Sequence, residues 1–352
     1  IFPAEAKNVD ENFCRIGTRL AVLEMLLGGT TTYVDMYYFE HVIAEETKKA
    51  GMRAILGQTI IGFPAPDYKS PEAALAGAEN FLRRFQGDPL ITPAVAPHAV
   101  YTNSPETLAA AAALADRYKV PLVIHVSETR RENEECAEKH GARTPTAYLE
   151  AIGGLARRTL FAHGVWLTPA DRAIMKRRAV GLAHCPSSNM KLASGIAPVA
   201  ECLEEGLAVG LGPDGPAGSN NDFSMFEEMD LASKLAKVRA MDPTALPARA
   251  VVEMATILGA RAIGLETEIG SLEPGKRADL ITVSLDAPHA WPGHDPYSML
   301  VSSLKASDVT DVVIDGRTVV EARRPLTLNA ASVRAEAEAA RRRVAQSFQP
   351  RP

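Results

Sequence analysis

Five successive apolar runs each end on a histidine or an acid, and no other pattern in the chain limits its fold and chemistry so strongly. They read Ala96-Pro97-His98, Ile124-His125-Val126-Ser127-Glu128, Phe161-Ala162-His163-Gly164, Ala183-His184-Cys185-Pro186 and Leu211-Gly212-Pro213-Asp214-Gly215. A helix-like segment follows each one. When strands and helices alternate around a barrel, all the C-terminal strand edges face one mouth, where reactive groups collect. Histidines and carboxylates directed into one pocket suit a divalent metal and proton transfer.

The alternation extends beyond those five runs. Strands are expected at Thr32–Met36, Arg53–Ile61, Ile91–Pro97, Leu122–Ser127, Thr159–Val165, Val180–Cys185 and Ala208–Leu211. Several are almost continuously apolar, as in strands buried on both faces of a parallel sheet. Ser104 before Pro105, and Thr168 before Pro169, read as N-caps with proline at the first helical position. Helices are expected over Asn8–Gly28, Leu108–Tyr118, Arg172–Arg178, Leu231–Lys237 and Pro247–Ile263. These strands number seven, one short of a (β/α)8 barrel, so the helix at Asn8–Gly28 is expected to follow a first strand that the chain does not contain. The opening Ile1-Phe2-Pro3-Ala4-Glu5 has neither an initiator Met nor the marks of a signal peptide, and reads as the interior of a longer protein.

After Gly264 the texture changes. Gly270 to Val283 is a turn-rich lead into a strand. Val309–Ile314, Asp315-Gly316 and Arg317–Ala322 form a hairpin pattern, since Asp-Gly accepts the positive φ angles of a two-residue turn. Ser332–Ser347 is a charged helix that packs while staying solvated. The expected division is a hydrolase barrel over 1–265, a small β-sandwich domain over 266–330, and a helix with a tail over 331–352.

Bulk properties exclude other classes. In 352 residues with a net charge of −5 there is no basic footprint for nucleic acid. No apolar run reaches the length of a membrane span. Four scattered cysteines lack paired spacing, which fits reduced thiols in a cytoplasm.

The residues also resemble a known family. His125-Val126-Ser127-Glu128, Ala162-His163-Gly164, His184-Cys185-Pro186-Ser187-Ser188-Asn189 and Gly212-Pro213-Asp214-Gly215 with Ser219-Asn220-Asn221 look like the amidohydrolase superfamily. Within it the chain is most similar to the 5-methylthioadenosine/S-adenosylhomocysteine deaminases. Lys191 to Val199, Asn221 to Met229 and Gly275 to Ile281 support the match, which runs from Ile1 to about Thr327. The resemblance implies hydrolytic deamination of an adenosine-type nucleoside with one Zn²⁺ per subunit, Fe²⁺ or another divalent ion being an alternative. It implies His125 and Asp214 as metal ligands, and Glu128, His163 and Asp214 as the catalytic groups. Glu5, His98, Glu128 and His184 would bind substrate, with Glu5 accepting hydrogen bonds from two ribose hydroxyls. The small-molecule nucleoside is the expected partner, with a homo-oligomer left open.

The residues alone leave other readings standing. Asp214-Gly215 can be a plain turn, Glu5 a charge that favours a helix N-terminus, and His184 a packing or bracing residue. Trp166 and Phe223 are as well explained by the core or its rim as by a purine ring, and Cys185 as a buried thiol. None of the eight histidines forms the His-x-His pair that the family carries on its first strand. The pair is expected upstream of Ile1. Related enzymes acting on guanine, pterin or triazine remain alternatives, as does a non-catalytic binding protein.

Overall fold

The seven apolar runs become seven parallel strands of one sheet: β1 (Thr32–Tyr37), β2 (Arg53–Ile60), β3 (Ile91–Pro97), β4 (Leu122–Val126), β5 (Thr159–His163), β6 (Gly181–His184) and β7 (Val209–Leu211). In the computed structural model, which describes residues 2–216 and 218–348, they pair strictly in chain order from β1 to β7. The registers Val126↔His163 and His184↔Leu211 set the ends of neighbouring strands side by side. Among the described residues β1 and β7 are the two edges, and no eighth strand joins them. Ile1 and the last four residues of the expected tail lie outside the described residues.

The helices between strands cover the sheet, as parallel crossovers require. Their starts follow the expected grammar. Ser70, Ser104, Thr129, Thr144 and Thr168 each accept a backbone N–H from the first helical turn, and all but the helix after Thr129 have proline at the helix start. Thr168 and Asp171 complete a capping box. All eight residues of β2 are buried beneath this cover, and Ile55, Leu56, Ile124 and Phe161 are fully enclosed.

Two expected helices are divided. The helix expected over Asn8–Gly28 is Phe2–Asn8 followed by Glu11–Leu27, because the Asp10 side chain caps the second helix by accepting from Phe13 N at 2.7 Å. The helix expected over Pro247–Ile263 is Ala248–Met254 followed by Ile257–Ala262, with Thr256 non-helical between them. The second piece sits directly on β7. A Cβ built at Gly210 would come within 2.9 Å of Gly259 Cα, so only glycine permits that approach.

The C-terminal strands β8 (Leu280–Val283), β9 (Val309–Ile314), β10 (Arg317–Glu321) and β11 (Arg324–Pro325) form one antiparallel sheet in the order β11-β10-β9-β8. Asp315 at φ 51° and Gly316 at φ 75° make the expected hairpin turn. Among the described residues this is a single sheet rather than a sandwich. It packs against the Glu11–Leu27 helix instead of a second sheet. Arg53 clamps it to the parallel sheet through a buried two-point contact with Asp279, at 3.1 and 3.2 Å. The helix Ala330–Ser347 lies on Glu11–Leu27 with Val333 buried and Arg19 bonded to Glu336 at 2.9 Å. No described helix is long and apolar enough to cross a membrane.

Candidate active site

Three of the residues at the C-terminal strand ends have left-handed backbone without being glycine: Ser127 at φ 53°, His163 at φ 74° and Asp214 at φ 62°. Such a conformation costs about 1–3 kcal/mol per residue and persists only where the surroundings enforce it. At Ser127 the enforcing group is visible. β4 ends at Val126, one residue earlier than expected, and the buried Glu132 accepts Ser127 N at 3.0 Å and Glu128 N at 2.8 Å. This turn redirects Glu128 from the alternation of the strand into the mouth.

There Glu128 meets His163 and Asp214. His163 Nε2 lies 3.8 Å from Glu128 Oε2 and 3.9 Å from Asp214 Oδ2. Its other nitrogen, Nδ1, is bonded to Asn189 Oδ1 at 3.0 Å, which fixes the ring with Nε2 between the two carboxylates. Ser188 Oγ donates to Asp214 Oδ2 at 2.7 Å, and Ser194 Oγ to Glu128 Oε1 at 3.4 Å. The His125 ring stacks on His163, centroids 5.5 Å apart. His125 Nδ1 donates to the His98 carbonyl at 2.8 Å, which leaves the lone pair on Nε2.

His98 extends the row, 4.9 Å from His125 by ring centroids, with Nδ1 against Thr102 Oγ1 at 3.1 Å. Burial, reinforced by His125, pushes its pKa down to about 3. His184 is buried, its Nδ1 has no partner among the described residues, and burial with His163 nearby likewise holds it down at about 3. Burial and His163 also lower His125. These are neutral imidazoles, the form that binds metals. Glu5 stands apart, half-buried on the Phe2–Asn8 helix, and accepts the Tyr37 hydroxyl at 2.8 Å. Cys185 is buried, and burial raises its thiol well above the ordinary range, as an inert thiol requires.

The sequence reading missed several groups. Asp35 on β1 has its pKa raised to about 6 by burial, and Asp214 adds to that shift. It lies inside β1 between Val34 and Met36, and an acid within an apolar strand is the signal that could have found it. Ser188 and Asn189 sit inside the quoted motif but were assigned no role. Glu132 and Tyr37 carry no local sequence mark, since their partners come from other turns and elements.

Among the described residues no group of three or more His, Cys, Asp or Glu side chains is arranged to hold a metal ion. The donors present nevertheless fit one in kind. His125 offers a fixed Nε2 lone pair, and Asp214 offers a carboxylate already oriented by Ser188 Oγ and by Gly215 N at 2.6 Å.

Histidines and acids gathered at the C-terminal ends of seven parallel strands are the residue types that metal-assisted hydrolysis uses. The chain belongs to the amidohydrolase family, whose profile matches residues 2–319. It is 48% identical over 329 residues to a 5-methylthioadenosine/S-adenosylhomocysteine deaminase of Syntrophobacter fumaroxidans, covering 94% of this chain and 74% of that protein. A protein of the same name from Thermodesulfovibrio yellowstonii is 46% identical over 320 residues, covering 91% and 72%. A solved adenosine deaminase from Xanthomonas campestris with bound zinc superposes with a TM-score of 0.95 at 37% identity, covering 98% of this chain and 78% of that one.

Proposed function

We propose that this chain catalyses the hydrolytic deamination of adenosine-type nucleosides, releasing ammonia and the inosine analogue. The observation that carries the reading is His163 Nε2 poised between the carboxylates of Glu128 and Asp214. His125 and Asp214 would hold one divalent metal per subunit, Zn²⁺ first among the candidates, beside a His-x-His pair of the kind the family carries on its first strand. Bound there, the metal supplies Lewis acidity and lowers the pKa of water. Asp214 accepts the proton of the attacking water and passes it to the departing amine, which leaves as ammonia, while the hydroxyl proton of the adduct restores Glu128. Glu128 protonates the ring nitrogen beside the amine-bearing carbon and makes that carbon electrophilic. His163 steadies the entering oxygen through Nε2. Glu5 reads the ribose hydroxyls, and His98 and His184 contact the substrate.

The same reading completes the fold with an eighth strand between β1 and β7 and with further strands on the small sheet. It keeps the divisions at 265 and 330 and places the protein in a cytoplasm, with a homo-oligomer left open. The test is ammonia release by metal-loaded, full-length protein from adenosine, 5'-methylthioadenosine and free adenine, for wild type and Glu5→Gln. Turnover of the nucleosides is expected, with kcat/KM for them about 10- to 100-fold lower in the variant, the value of a hydrogen bond to a charged group. Adenine turnover should not change. A metal-loaded protein that deaminates no nucleoside overturns the reading.

A further inference from the structure

A row of rings leads out of the site to an apolar rim. From His163 it passes to His125 at 5.5 Å and to His98 at 4.9 Å between centroids. His98 then meets Phe2 at 5.7 Å and Tyr101 at 5.8 Å, both edge-on, and Phe2 meets Phe63 at 5.1 Å. Phe2, Phe63 and Tyr101 are 38%, 37% and 52% exposed. Single exposed apolar residues need no explanation, but a contiguous set beside a site does. Phe2 also precedes Glu5 by three residues on one helix, so the two share a face.

We propose that Phe2, Phe63 and Tyr101 form the subsite for the 5' tail of the nucleoside, and that this subsite selects a short uncharged thioether over a tail carrying an amino acid. The proposal rests on the deaminase reading, which places the base between Glu128 and Asp214 and the ribose at Glu5. The tail then continues outward along the row of rings to the rim. A methylthio group has the chemistry of a methionine side-chain end, and a thioether sulfur packs favourably against aromatic rings. The amino-acid tail of S-adenosylhomocysteine brings an ammonium and a carboxylate, which are costly against apolar rings unless paired.

Among the described residues no cation stacks on a rim ring; the cation–ring contacts involve Phe13, Phe85, Tyr118, Tyr297 and Phe348. The cations on neighbouring segments are already engaged, Lys7 of the Phe2–Asn8 helix with the Ser347 carbonyl. Lys69 donates to Ala65 O at 2.6 Å, Arg130 pairs with Glu134 at 3.2 Å and Arg131 with Glu135 at 2.6 Å.

The test uses full-length, metal-loaded protein. It measures kcat/KM for 5'-methylthioadenosine, adenosine and S-adenosylhomocysteine, and Kd for the products 5'-methylthioinosine and inosine, in wild type, Phe63→Ala and Phe63→Arg. Wild type should favour the methylthio substrate over S-adenosylhomocysteine by about 10-fold or more, the scale on which an apolar pocket discriminates. Phe63→Ala should shrink the methylthio advantage over adenosine, in kcat/KM and in product Kd alike. Phe63→Arg, which supplies the missing cation, should move the preference toward S-adenosylhomocysteine. Turnover of adenosine with no methylthio preference, or ratios and Kd values unmoved by both substitutions, overturns this inference and leaves the deaminase reading standing. Absence of turnover with every nucleoside removes both.

Discussion

The arc from β4 to β7 and the edge at β1 face the same mouth but are built differently. Along the arc each reactive group has a visible restraint: Glu132 under the Ser127–Glu128 turn, Asn189 on His163, Ser188 on Asp214 and the His98 carbonyl on His125. At the β1 edge the acids have few partners. Among the described residues Asp35 accepts only its neighbour Met36 N at 2.9 Å, and the fully buried Glu40 accepts Tyr37 N through one oxygen while the other has no partner. Burial, with Asp35 adding to it, raises Glu40 well above the usual carboxylate range. All six residues of β1 are half-buried, whereas all eight of the adjacent β2 are buried. The side chains of the arc are held by one another and by their own backbone. At the edge burial favours the protonated acids, and an added cation would favour their charged form.

The largest expected effect tests the arc. Glu128→Gln keeps the shape and the turn, because Glu132 holds the backbone N–H of residue 128 rather than its side chain. It removes the proton that the proposed mechanism delivers to the ring nitrogen. A drop in kcat of about 10³-fold is expected, within the range for a lost general acid, with product affinity little changed. Equal losses in kcat and in product binding would mean that Glu128 organises the pocket rather than moving a proton.

The next effect tests the edge. Asp35 titrates near 6 in the folded chain against a model-compound value of 3.8. The native state therefore holds its proton more tightly than the unfolded state does. Its stabilising share is complete below about pH 4 and is lost as pH rises through about 6. Glu132 and Glu228, each raised by burial to about 7, act in the same direction. Urea denaturation of metal-free protein should thus give lower stability at pH 8 than at pH 5. Asp35→Asn should recover at most about 3 kcal/mol of that loss, less what water screens at this half-buried strand. A variant whose stability falls with pH as steeply as wild type would show that the edge is not electrostatically strained.

The arc was also the more legible region in the sequence. Apolar runs ending on His98, His125, His163, His184 and Asp214 announce both the strands and the site, because burial on two faces leaves only such runs and a polar end is conspicuous after them. Prolines after Ser104 and Thr168 mark helix starts for reasons confined to a few adjacent residues. What escaped depends on contacts between distant turns. Asn189 aligns His163 from 26 positions away, and Tyr37 reaches Glu5 across 32. The Asp10 cap that divides the first helix was open to reading, since an aspartate followed by Glu11 is an ordinary helix start. It was masked by the apolar periodicity that continues through it.

The smallest expected effect joins the two regions. Tyr37 follows Asp35 by two residues on β1, so both side chains fall on the same face of that strand. Its hydroxyl donates to Glu5 Oε1 at 2.8 Å, leaving Oε2 and the remaining lone pairs for a ligand. A carboxylate held at one oxygen presents the other in a fixed direction. Tyr37→Phe frees Glu5 to rotate and lets water compete for it, without deleting the acceptor. KM for nucleosides should rise about 5-fold, the scale of a net hydrogen bond at a half-exposed site, while kcat and turnover of free adenine stay near wild type. A fall in kcat with unchanged KM would instead place Tyr37 with the reacting groups and join the β1 edge to the catalytic arc.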